Sequence, residues 1–283
     1  NKGKLMSSLN SIKHGLYGEK IAIIGENIDE INDITERLVK ELKPIGINQE
    51  MQEYEAEKYK EDVAEVVGGM ADACAAAGCV LLGGETAEMP GVYAEGAFDI
   101  AGTLVGVAER EQLLPLPTIA AGDVLIGVAS NGPHTNGYSY LRKLFAWIPM
   151  ESQPVPLDRP LVEALLEPHR NYLPVLKGAL DTELVKALVH ITGGGLPENM
   201  PRVLPQGIGA NINLGSWPMP PLFQLVSELS TLDTDELYRT LNMGVGMVVI
   251  VAPEHVNAIQ DSINEKTWII GELTSDHNKV LLK

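Results

Sequence analysis

The sequence is poor in basic residues. Its 283 residues include 21 Lys and Arg against 38 Asp and Glu, and the formal net charge is −17. A protein that binds along nucleic acid needs a surplus of basic side chains to neutralise the phosphates, so we expect no nucleic-acid partner. The charge is compatible with a small phosphorylated ligand, because backbone N–H groups and a bound cation can hold a phosphate.

Cysteines and long hydrophobic runs are also scarce. Only Cys74 and Cys79 occur, with no Cys/His pair nearby at a metal-ligand spacing, and we interpret both as small buried residues of a reducing compartment. The longest apolar run, "GVGMVVIVAP", is shorter than the roughly 20 residues that a transmembrane helix needs. We therefore expect a cytoplasmic protein with no membrane partner.

Common catalytic patterns are missing as well. The chain has no G-x-x-x-x-G-K-[ST] phosphate loop, no G-x-S-x-G nucleophile elbow and no histidine pair at metal-ligand spacing. It has instead an alternation of helical and apolar segments from Asp62 onwards, which predicts an α/β (α+β) fold. Before that point, helical spacing between Ile31 and Leu42 and again from about Asn48 predicts two helices.

Changes in composition divide the chain into three parts. We predict a helical segment over residues 1–60, a first unit over 61–118 and a second unit over 119–283. The Pro-rich segment "LPLPTIAAGD" is typical of a linker between the two domains. The apolar runs "CVLLGGE", "FDIAGTLVGVAER" and "DVLIGVAS" are predicted strands.

The first glycine-bearing turn is "LLGGETAEMPGVY". Gly83 and Gly84 allow a sharp turn after an apolar run, and Glu85 and Thr86 follow it. A carboxylate beside a hydroxyl can hold Mg²⁺ and a phosphate oxygen, since Mg²⁺ takes oxygen ligands and usually retains water. The alternative is an ordinary glycine turn with solvated acids.

The second turn, "SNGPHTNGYS", follows the predicted strand "DVLIGVA". It presents His134, Thr135 and Asn136 between glycines and a proline, and Ser139 is placed to cap the helix that comes next. We expect His134 and Thr135 to project over the N-terminus of that helix, whose dipole favours an anion. The alternative is a capping loop with a solvated histidine.

The third turn, "HITGGGLPENMPR", contains Gly193, Gly194 and Gly195 ahead of a predicted helix, with Asn199 in its first turn. Three glycines carry a large entropic cost for simple chain reversal, so we favour an anion-binding nest.

A fourth candidate, "YRTLNMGVGM", places Arg239 and Asn242 before an apolar strand. The alternative here is a strand that is weakened by close approach of another backbone.

Four segments together resemble one enzyme family. These segments, "GCVLLGGETAEMPGVY", "SNGPHTNGYSYLRKL", "HITGGGLPENMPRVLP" and "ELYRTLNMGVGMVVIV", resemble the phosphoribosylformylglycinamidine cyclo-ligase (aminoimidazole ribonucleotide synthetase) family, in order from about Asp62 to the C-terminus. The resemblance implies a mixed sheet flanked by helices in residues 119–283, which would be the second cyclo-ligase domain. Residues 61–118 would then be the C-terminal part of the ATP-binding first domain, and residues 1–60 a helical segment of unrelated origin. The resemblance further implies a homodimer whose subunits have two α/β domains. It also implies a reaction in which ATP and Mg²⁺ phosphorylate the formamide oxygen of formylglycinamidine ribonucleotide, and a ring nitrogen then displaces phosphate to close the imidazole.

The resemblance also implies roles for the residues of these turns. Gly83, Gly84, Glu85 and Thr86 would lie on the ATP side of a cleft, with Glu85 as a ligand of Mg²⁺. His134, Thr135 and Asn136 would be catalytic and face the substrate. Phosphate and substrate would be bound by Gly193, Gly194, Gly195, Asn199, Arg239 and Asn242.

One departure from the family pattern affects the expected activity. The family's glycine-rich "D-G-V-G-T-K" segment, which binds ATP and its metal, does not occur in this sequence. We therefore expect weak or no catalysis by this chain alone. Two alternatives differ in class: a non-catalytic ribonucleotide-binding or assembly module, and a small ATP-dependent kinase of the same superfamily, which the four segments disfavour.

Overall fold

The computed structural model describes residues 20–21, 49–87, 89, 91–93, 97–106, 114 and 118–283. Contacts between residues divide the chain into two compact units, Asn1–Val105 and Gly106–Lys283. The helix predicted between Ile31 and Leu42 lies outside the described residues. Among the helices within them, none is both long and apolar enough to cross a membrane.

The described residues of the first unit contain one long helix and a short strand pair. Helix α1 (Gln49–Ala76) begins where the second helical pattern predicts it, which confirms that prediction. Strand β1 (Lys20–Ile21) pairs antiparallel with strand β2 (Gly84–Glu85). The expectation that both cysteines are buried is wrong: each is only half-buried, because the C-terminal turns of α1 are largely exposed.

The two strands predicted in this unit form only in small part: "CVLLGGE" is a strand only at its last two residues, Gly84–Glu85, and residues 98–106, the described part of "FDIAGTLVGVAER", contain no strand. Within the described parts of residues 79–106, only Gly84–Glu85 belongs to a strand. Six large apolar side chains of these segments are exposed, namely Val80, Leu82, Phe98, Ile100, Leu104 and Val105. Their sequences have the apolar character of strands, but a strand also needs a neighbouring strand to satisfy its backbone N–H and C=O groups.

The second unit is built around a six-stranded sheet in the order β4-β6-β3-β7-β5-β8. Neighbouring strands are antiparallel except β5 and β8, which are parallel. The strands are β3 (Val124–Ala129), β4 (Val185–His190), β5 (Gly209–Ile212), β6 (Val245–Val251), β7 (Thr267–Thr274) and β8 (Val280–Leu282).

Helices cover both faces of this sheet. They are α2 (Tyr138–Leu144), α3 (Leu161–Leu165), α4 (Tyr172–Leu180), α5 (Gly195–Asn199), α6 (Pro221–Leu229), α7 (Thr234–Thr240) and α8 (Val256–Ser262). One core cluster joins Leu141 of α2 and Phe223 of α6 to Val248 and Ile250 of β6. The other joins Leu176 of α4 and Ile259 of α8 to Val249 and Val251.

The alternation of strand side chains explains these two clusters, because successive side chains point to opposite faces of a sheet. All seven residues of β6 are accordingly buried. The mixed sheet with helices on both faces confirms the predicted fold class.

A buried ion pair fixes the start of β3. The carboxylate of Asp123, which is 3% exposed, accepts hydrogen bonds from Nζ of Lys186 at 2.6 Å and from the backbone N–H of Ala120 at 2.8 Å. Lys186 lies in β4, so the pair links two strands that are separated in the sheet by β6.

Removal of the charge partner of Asp123 should destabilise this unit. Lys186→Met leaves a buried carboxylate without its cation, and we expect a loss of about 3 kcal/mol in the free energy of unfolding. Lys177→Met is the matched control, because Lys177 forms an exposed pair with Asp181. It should cost less than about 0.5 kcal/mol.

Denaturant titration can be followed by tryptophan fluorescence, since Trp147, Trp217 and Trp268 all lie in the second unit. Equal losses for the two lysine variants would show that burial of Asp123 is unimportant.

Candidate functional site

Three loops of the second unit meet at one edge of the sheet. Strands β3 and β4 both run antiparallel to β6, so the C-terminal ends of β3 and β4 lie beside the start of β6. Ala129 at the end of β3 is paired with Val245, and His190 at the end of β4 is paired with Met247. The predicted turns after β3 and β4 and the segment before β6 therefore come together.

The turn after β3 has a strained backbone. His134 and Thr135 have φ values of 55° and 61°, in the left-handed region that is uncommon for residues other than Gly, although Asn, Asp and His adopt it more often than the rest. For Thr135 the conformation is an outlier because its side chain is β-branched. The carbonyl oxygen of His134 accepts hydrogen bonds from Oγ1 of Thr135 at 2.6 Å and Nδ2 of Asn136 at 2.8 Å. Strain that is held in place by local contacts is typical of functional loops.

Asn242 joins this turn to the start of β6. Its Oδ1 accepts hydrogen bonds from Oγ of Ser130 at 2.8 Å and from the N–H of Gly244 at 2.9 Å. Its Nδ2 donates to the carbonyl oxygen of Gly132 at 2.8 Å. Asn242 is 3% exposed. Its assignment to substrate binding stays a prediction, and these contacts are those of a residue that positions the loop.

Asn199 has a similar place beneath the triple-glycine turn. Its Nδ2 donates to the carbonyl oxygens of Gly195 at 2.8 Å and of Gly193 at 3.3 Å, and the residue is 2% exposed. Gly194 and Gly195 have φ values of 95° and 55°, and they lead into α5. The role of Asn199 in substrate binding also stays a prediction.

The triple-glycine turn contacts the other two loops. A Cβ atom on Gly193 would lie 3.2 Å from Oδ1 of Asn136, so this glycine borders the turn after β3. A Cβ atom on Gly195 would overlap the carbonyl oxygen of Tyr238 in α7. Half-exposed Arg239 is 3.6 Å from Glu198 of α5. The three loops thus pack against one another, and we call residues 130–137, 192–199 and 238–244 the loop cluster.

Two predictions about the first of these loops are wrong. Ser139 does not cap α2, because the helix begins at Tyr138 and its N-cap is Gly137 in the left-handed conformation. The alternative of a solvated His134 is excluded, since its side chain is fully buried. Sequence spacing places the ring at a bend, but only the packed structure shows the ring turned inwards. The exposed side chain of the loop is that of Thr135.

His134 is one member of a cluster of three histidines. Its ring stacks on that of His169 with centroids 4.3 Å apart, and Nε2 of His169 lies 3.1 Å from Nε2 of His190. The ring of Tyr172 packs edge-on against His134, with its hydroxyl donating to the carbonyl oxygen of Ala129 at 2.7 Å. Sequence reasoning missed His169, His190 and Tyr172. No spacing pattern connects them, and only the strand order brings them together.

The protonation state of His134 follows from its contacts. Nδ2 of Asn131 donates to Glu167 and to the carbonyl oxygen of Pro168, which leaves Oδ1 of Asn131 facing Nε2 of His134 at 2.6 Å. Nε2 therefore carries the proton and donates it. The backbone N–H of Asn131, at 3.3 Å from the same nitrogen, is then a weak contact only.

This arrangement leaves Nδ1 of His134 as a buried lone pair, and within the described residues it has no hydrogen-bond partner. Burial, followed by the charges of His169, His190 and Arg170, lowers the pKa of His134 from 6.5 to about 3. The ring is therefore neutral at pH 7. It donates a hydrogen bond through Nε2, but it does not carry the second proton that a histidine general acid would transfer at that pH. Burial also lowers the pKa values of His169 and His190 and raises that of Tyr172.

The remaining predicted site residues belong to the first unit. Gly84 and Glu85 form strand β2, Gly83 precedes it and Thr86 follows it. Glu85 is exposed and Thr86 is half-buried. Across the described residues there is no group of three His, Cys, Asp or Glu side chains that could hold a metal ion. The roles of these four residues in binding ATP and Mg²⁺ stay predictions.

Comparison with known protein families gives two matches. Residues 120–283 match the family model described as "AIR synthase related protein, C-terminal domain", and residues 43–108 match "AIR synthase related protein, N-terminal domain". The second match begins within the segment that sequence analysis leaves outside the resemblance.

Curated relatives agree with these matches. The chain is 47% identical over 219 residues to the phosphoribosylformylglycinamidine cyclo-ligase of Geobacillus thermodenitrificans, covering 75% of this chain and 63% of the relative. It is 44% identical over 227 residues to the enzyme of the same name from Brevibacillus brevis, covering 78% and 66%. The chain thus spans a little under two thirds of these relatives.

Among solved structures, a hydrogenase maturation protein of E. coli aligns over 60% of this chain and 49% of its own, with 21% identity and a TM-score of 0.41.

Acid should destabilise the second unit through His134. The pKa of His134 is 6.5 in the unfolded chain and about 3 in the folded protein, so between these pH values the unfolded chain binds a proton that the folded protein does not. Stability is therefore complete above pH 6.5 and falls by about 1.4 kcal/mol per pH unit below it from this residue alone. His134→Asn, which tolerates the left-handed backbone, should remove this contribution. Denaturant titration at several pH values between neutral and mildly acidic measures the slope.

The control for this slope is Leu157→Ala, a core truncation without a titrating group. It should lower stability by the same amount at every pH in this range. A wild-type slope that His134→Asn leaves unchanged would contradict the assignment.

The triple-glycine turn should not accept a side chain at Gly195. Gly195→Ala combines an unfavourable φ with overlap against Tyr238, whereas Gly207 has a positive φ of 86° and open space around it. Gly207→Ala should cost about 1 kcal/mol from the backbone alone. Gly195→Ala should cost at least about 2 kcal/mol more, because the loop cluster must shift. Unfolding titrations of the two variants measure the difference, and similar losses would show that α5 and α7 move apart easily.

Proposed function

The chain belongs to the AIR synthase related family, and from that premise we propose that it acts in purine biosynthesis as an ATP-dependent cyclo-ligase. The proposed reaction is ring closure of formylglycinamidine ribonucleotide to aminoimidazole ribonucleotide in the cytoplasm, where reducing conditions suit its two unpaired cysteines. The observation that carries the proposal is the loop cluster, in which all three family-like loops of the second unit meet at one sheet edge.

Thr135 and Asn136 have the strongest support as the residues that face the substrate. Thr135 is exposed, Asn136 is partly exposed, and both are fixed to the carbonyl oxygen of His134. A hydroxyl and an amide held in fixed positions can orient a reacting group without paying ordering entropy during the reaction. His134 supports them from below, where its neutral ring fills the space between Gly246 and His169.

The triple-glycine turn is the proposed phosphate site. Gly193 borders Asn136, and Gly194 and Gly195 keep side chains away from the backbone. Backbone N–H groups that converge in such a turn bind phosphate without requiring net positive charge, which suits a chain of net charge −17. Arg239 is the basic residue beside this turn, and its ion pair with Glu198 is exposed enough to exchange for a phosphate.

Mg²⁺ and ATP are assigned to the first unit. Glu85 provides one exposed carboxylate and Thr86 a neighbouring hydroxyl. One carboxylate fits a magnesium ion that is held mainly by water and by the phosphates of ATP. When bound, the ion would stabilise the charge on the transferred phosphoryl group. We also propose a homodimer, because exposed Val80, Leu82, Leu104 and Val105 form apolar surface in the first unit that a partner would cover.

A non-catalytic ribonucleotide-binding module is the second candidate. The observation that favours it is the uneven support for the two ligands: the contacts that suit a phosphate lie in the loop cluster of the second unit, whereas the described residues of the first unit offer the ATP site one exposed carboxylate, Glu85, and the neighbouring hydroxyl of Thr86. In this case the loop cluster would bind the substrate phosphate while ATP would not be turned over.

An assay of ring closure combined with calorimetry tests both candidates. The purified chain should bind formylglycinamidine ribonucleotide and form aminoimidazole ribonucleotide in an ATP-dependent reaction. We expect turnover about 10²-fold or more below that of the Geobacillus thermodenitrificans relative, as loss of phosphate-stabilising groups generally costs this much. Thr135→Ala should weaken binding or turnover about tenfold through loss of one hydrogen bond to the ligand, whereas exposed Thr231→Ala is the matched control and should have no effect.

The outcomes separate the candidates. Binding with slow ring closure supports the cyclo-ligase, and binding without any ATP turnover supports the module. A chain that does not bind the ribonucleotide at all would refute both.

A further inference from the structure

Two members of the histidine cluster beside the loop cluster, His169 and His190, have no role in the proposed reaction. His190 is the last residue of β4, and His169 lies in the segment between α3 and α4. Their Nε2 atoms are 3.1 Å apart, and Nδ1 of His169 is 3.2 Å from Oγ1 of Thr135. His169 therefore contacts the exposed threonine on one side and a second imidazole on the other, while its ring stacks on His134.

The direction of these hydrogen bonds can be worked out from donors and acceptors. The single hydroxyl proton of Thr135 is donated to the carbonyl oxygen of His134 at 2.6 Å. Toward His169 the hydroxyl oxygen can then only accept, so Nδ1 of His169 carries a proton. A neutral His169 protonated at Nδ1 has its lone pair on Nε2. The contact between the two histidines therefore requires that Nε2–H of His190 donates to His169.

We propose that His190, His169 and Thr135 form a directed hydrogen-bond chain, in which His169 is a positioning residue that holds the substrate-facing hydroxyl of Thr135. In this hydrogen-bond chain His190 donates to His169, His169 donates to Thr135, and Thr135 donates to the backbone carbonyl oxygen of His134. It gives the strained turn a support that its own sequence does not contain. The inference rests on the proposed function only in calling Thr135 substrate-facing.

The hydrogen-bond chain between His190, His169 and Thr135 remains intact when the two histidines bind one additional proton, and a second additional proton breaks it. Nδ1 of His190 carries a lone pair that takes part in neither of these two hydrogen bonds. A first additional proton binds there and leaves both hydrogen bonds intact. A second proton can only go to Nε2 of His169, where it would face the N–H of His190. Two imidazolium rings at this distance repel each other, and neither nitrogen can then accept.

The charged neighbours do not relieve this repulsion. Arg170 and Glu265 form an ion pair beside the cluster, and Glu167 is bound to Arg159 and to Asn131. Both carboxylates that face the cluster are thus already paired with arginines. Tyr172 packs against His134 and His190 and stays protonated, because burial raises its pKa. Burial also lowers the pKa values of His169 and His190, with His190 contributing to the shift of His169.

The tautomers provide a direct test that requires no ligand. Nuclear magnetic resonance spectra that correlate ring nitrogens with carbon-bound ring protons identify which nitrogen carries the proton. At about pH 7.5, where the rings are neutral, His169 should be the Nδ1–H tautomer, while His190 and His134 should both be Nε2–H tautomers. On acidification His190 should bind a proton at higher pH than His169. An Nε2–H tautomer for His169 would overturn the proposal.

Variants test whether His169 positions the turn. His169→Phe keeps a stacked ring but loses both hydrogen bonds, and amide hydrogen exchange of Thr135 and Asn136 should become at least about tenfold faster. His169→Asn keeps a donor near the position of Nδ1, so it should restore most of the protection. His277→Asn, which alters a histidine bonded to Asn211 outside the cluster, is the matched control and should leave this exchange unchanged.

A second arm separates this inference from the proposed reaction. Tryptophan fluorescence confirms that each variant is folded before exchange is measured, so global unfolding cannot produce the result. Equal exchange in wild type, His169→Phe and His169→Asn would overturn the inference even if ring closure were observed. The expected exchange pattern together with no ribonucleotide binding would support the inference and refute the proposed function.

Discussion

Burial of strand β6 on both faces is the constraint from which the site follows. Its seven residues can be buried only if helices cover both faces and if β3 and β4 occupy both of its edges. Because both neighbours run antiparallel to β6, they end at the same side of the sheet. The chain must leave the sheet there twice and enter it once, so three loops meet at one edge.

Loops at such an edge carry polar groups that the packing takes away from water. A buried backbone amide without a hydrogen-bond partner costs about 1–3 kcal/mol. In the loop cluster, side chains provide such partners, whereas in the sheet neighbouring strands provide them. The buried side-chain amides of Asn242 and Asn199 hydrogen-bond to backbone carbonyl oxygens of neighbouring turns, and Asn242 also accepts from the hydroxyl of Ser130. These hydrogen bonds hold His134 and Thr135 at positive φ values that an unsupported loop would not maintain. Polar residues in the sequence of an apparent binding loop can therefore serve the loop itself.

Local patterns predict the elements of the second unit well, and they predict its side-chain contacts poorly. The apolar runs of β3 and β6 and the triple glycine before α5 are visible from sequence because they depend on neighbours along the chain. The pairing of His169 with His190 depends on strand order, and no local signal contains it. The segments around Val80 and Leu104 show the opposite failure. Their composition indicates strands, but strand formation requires a hydrogen-bonding partner that composition cannot specify.

The histidine cluster also shows that local burial can outweigh net charge. A chain of net charge −17 should favour protonated histidines, because a negative field stabilises imidazolium. Solvent ions screen that field over about 8–10 Å, whereas His134 is fully buried and stacks on His169 at 4.3 Å. Loss of hydration acts at the ring itself, so its pKa falls rather than rises. The result is a neutral, hydrogen-bonded support beneath Thr135, and a bound phosphate would rely on backbone N–H groups rather than on charged histidines for its attraction.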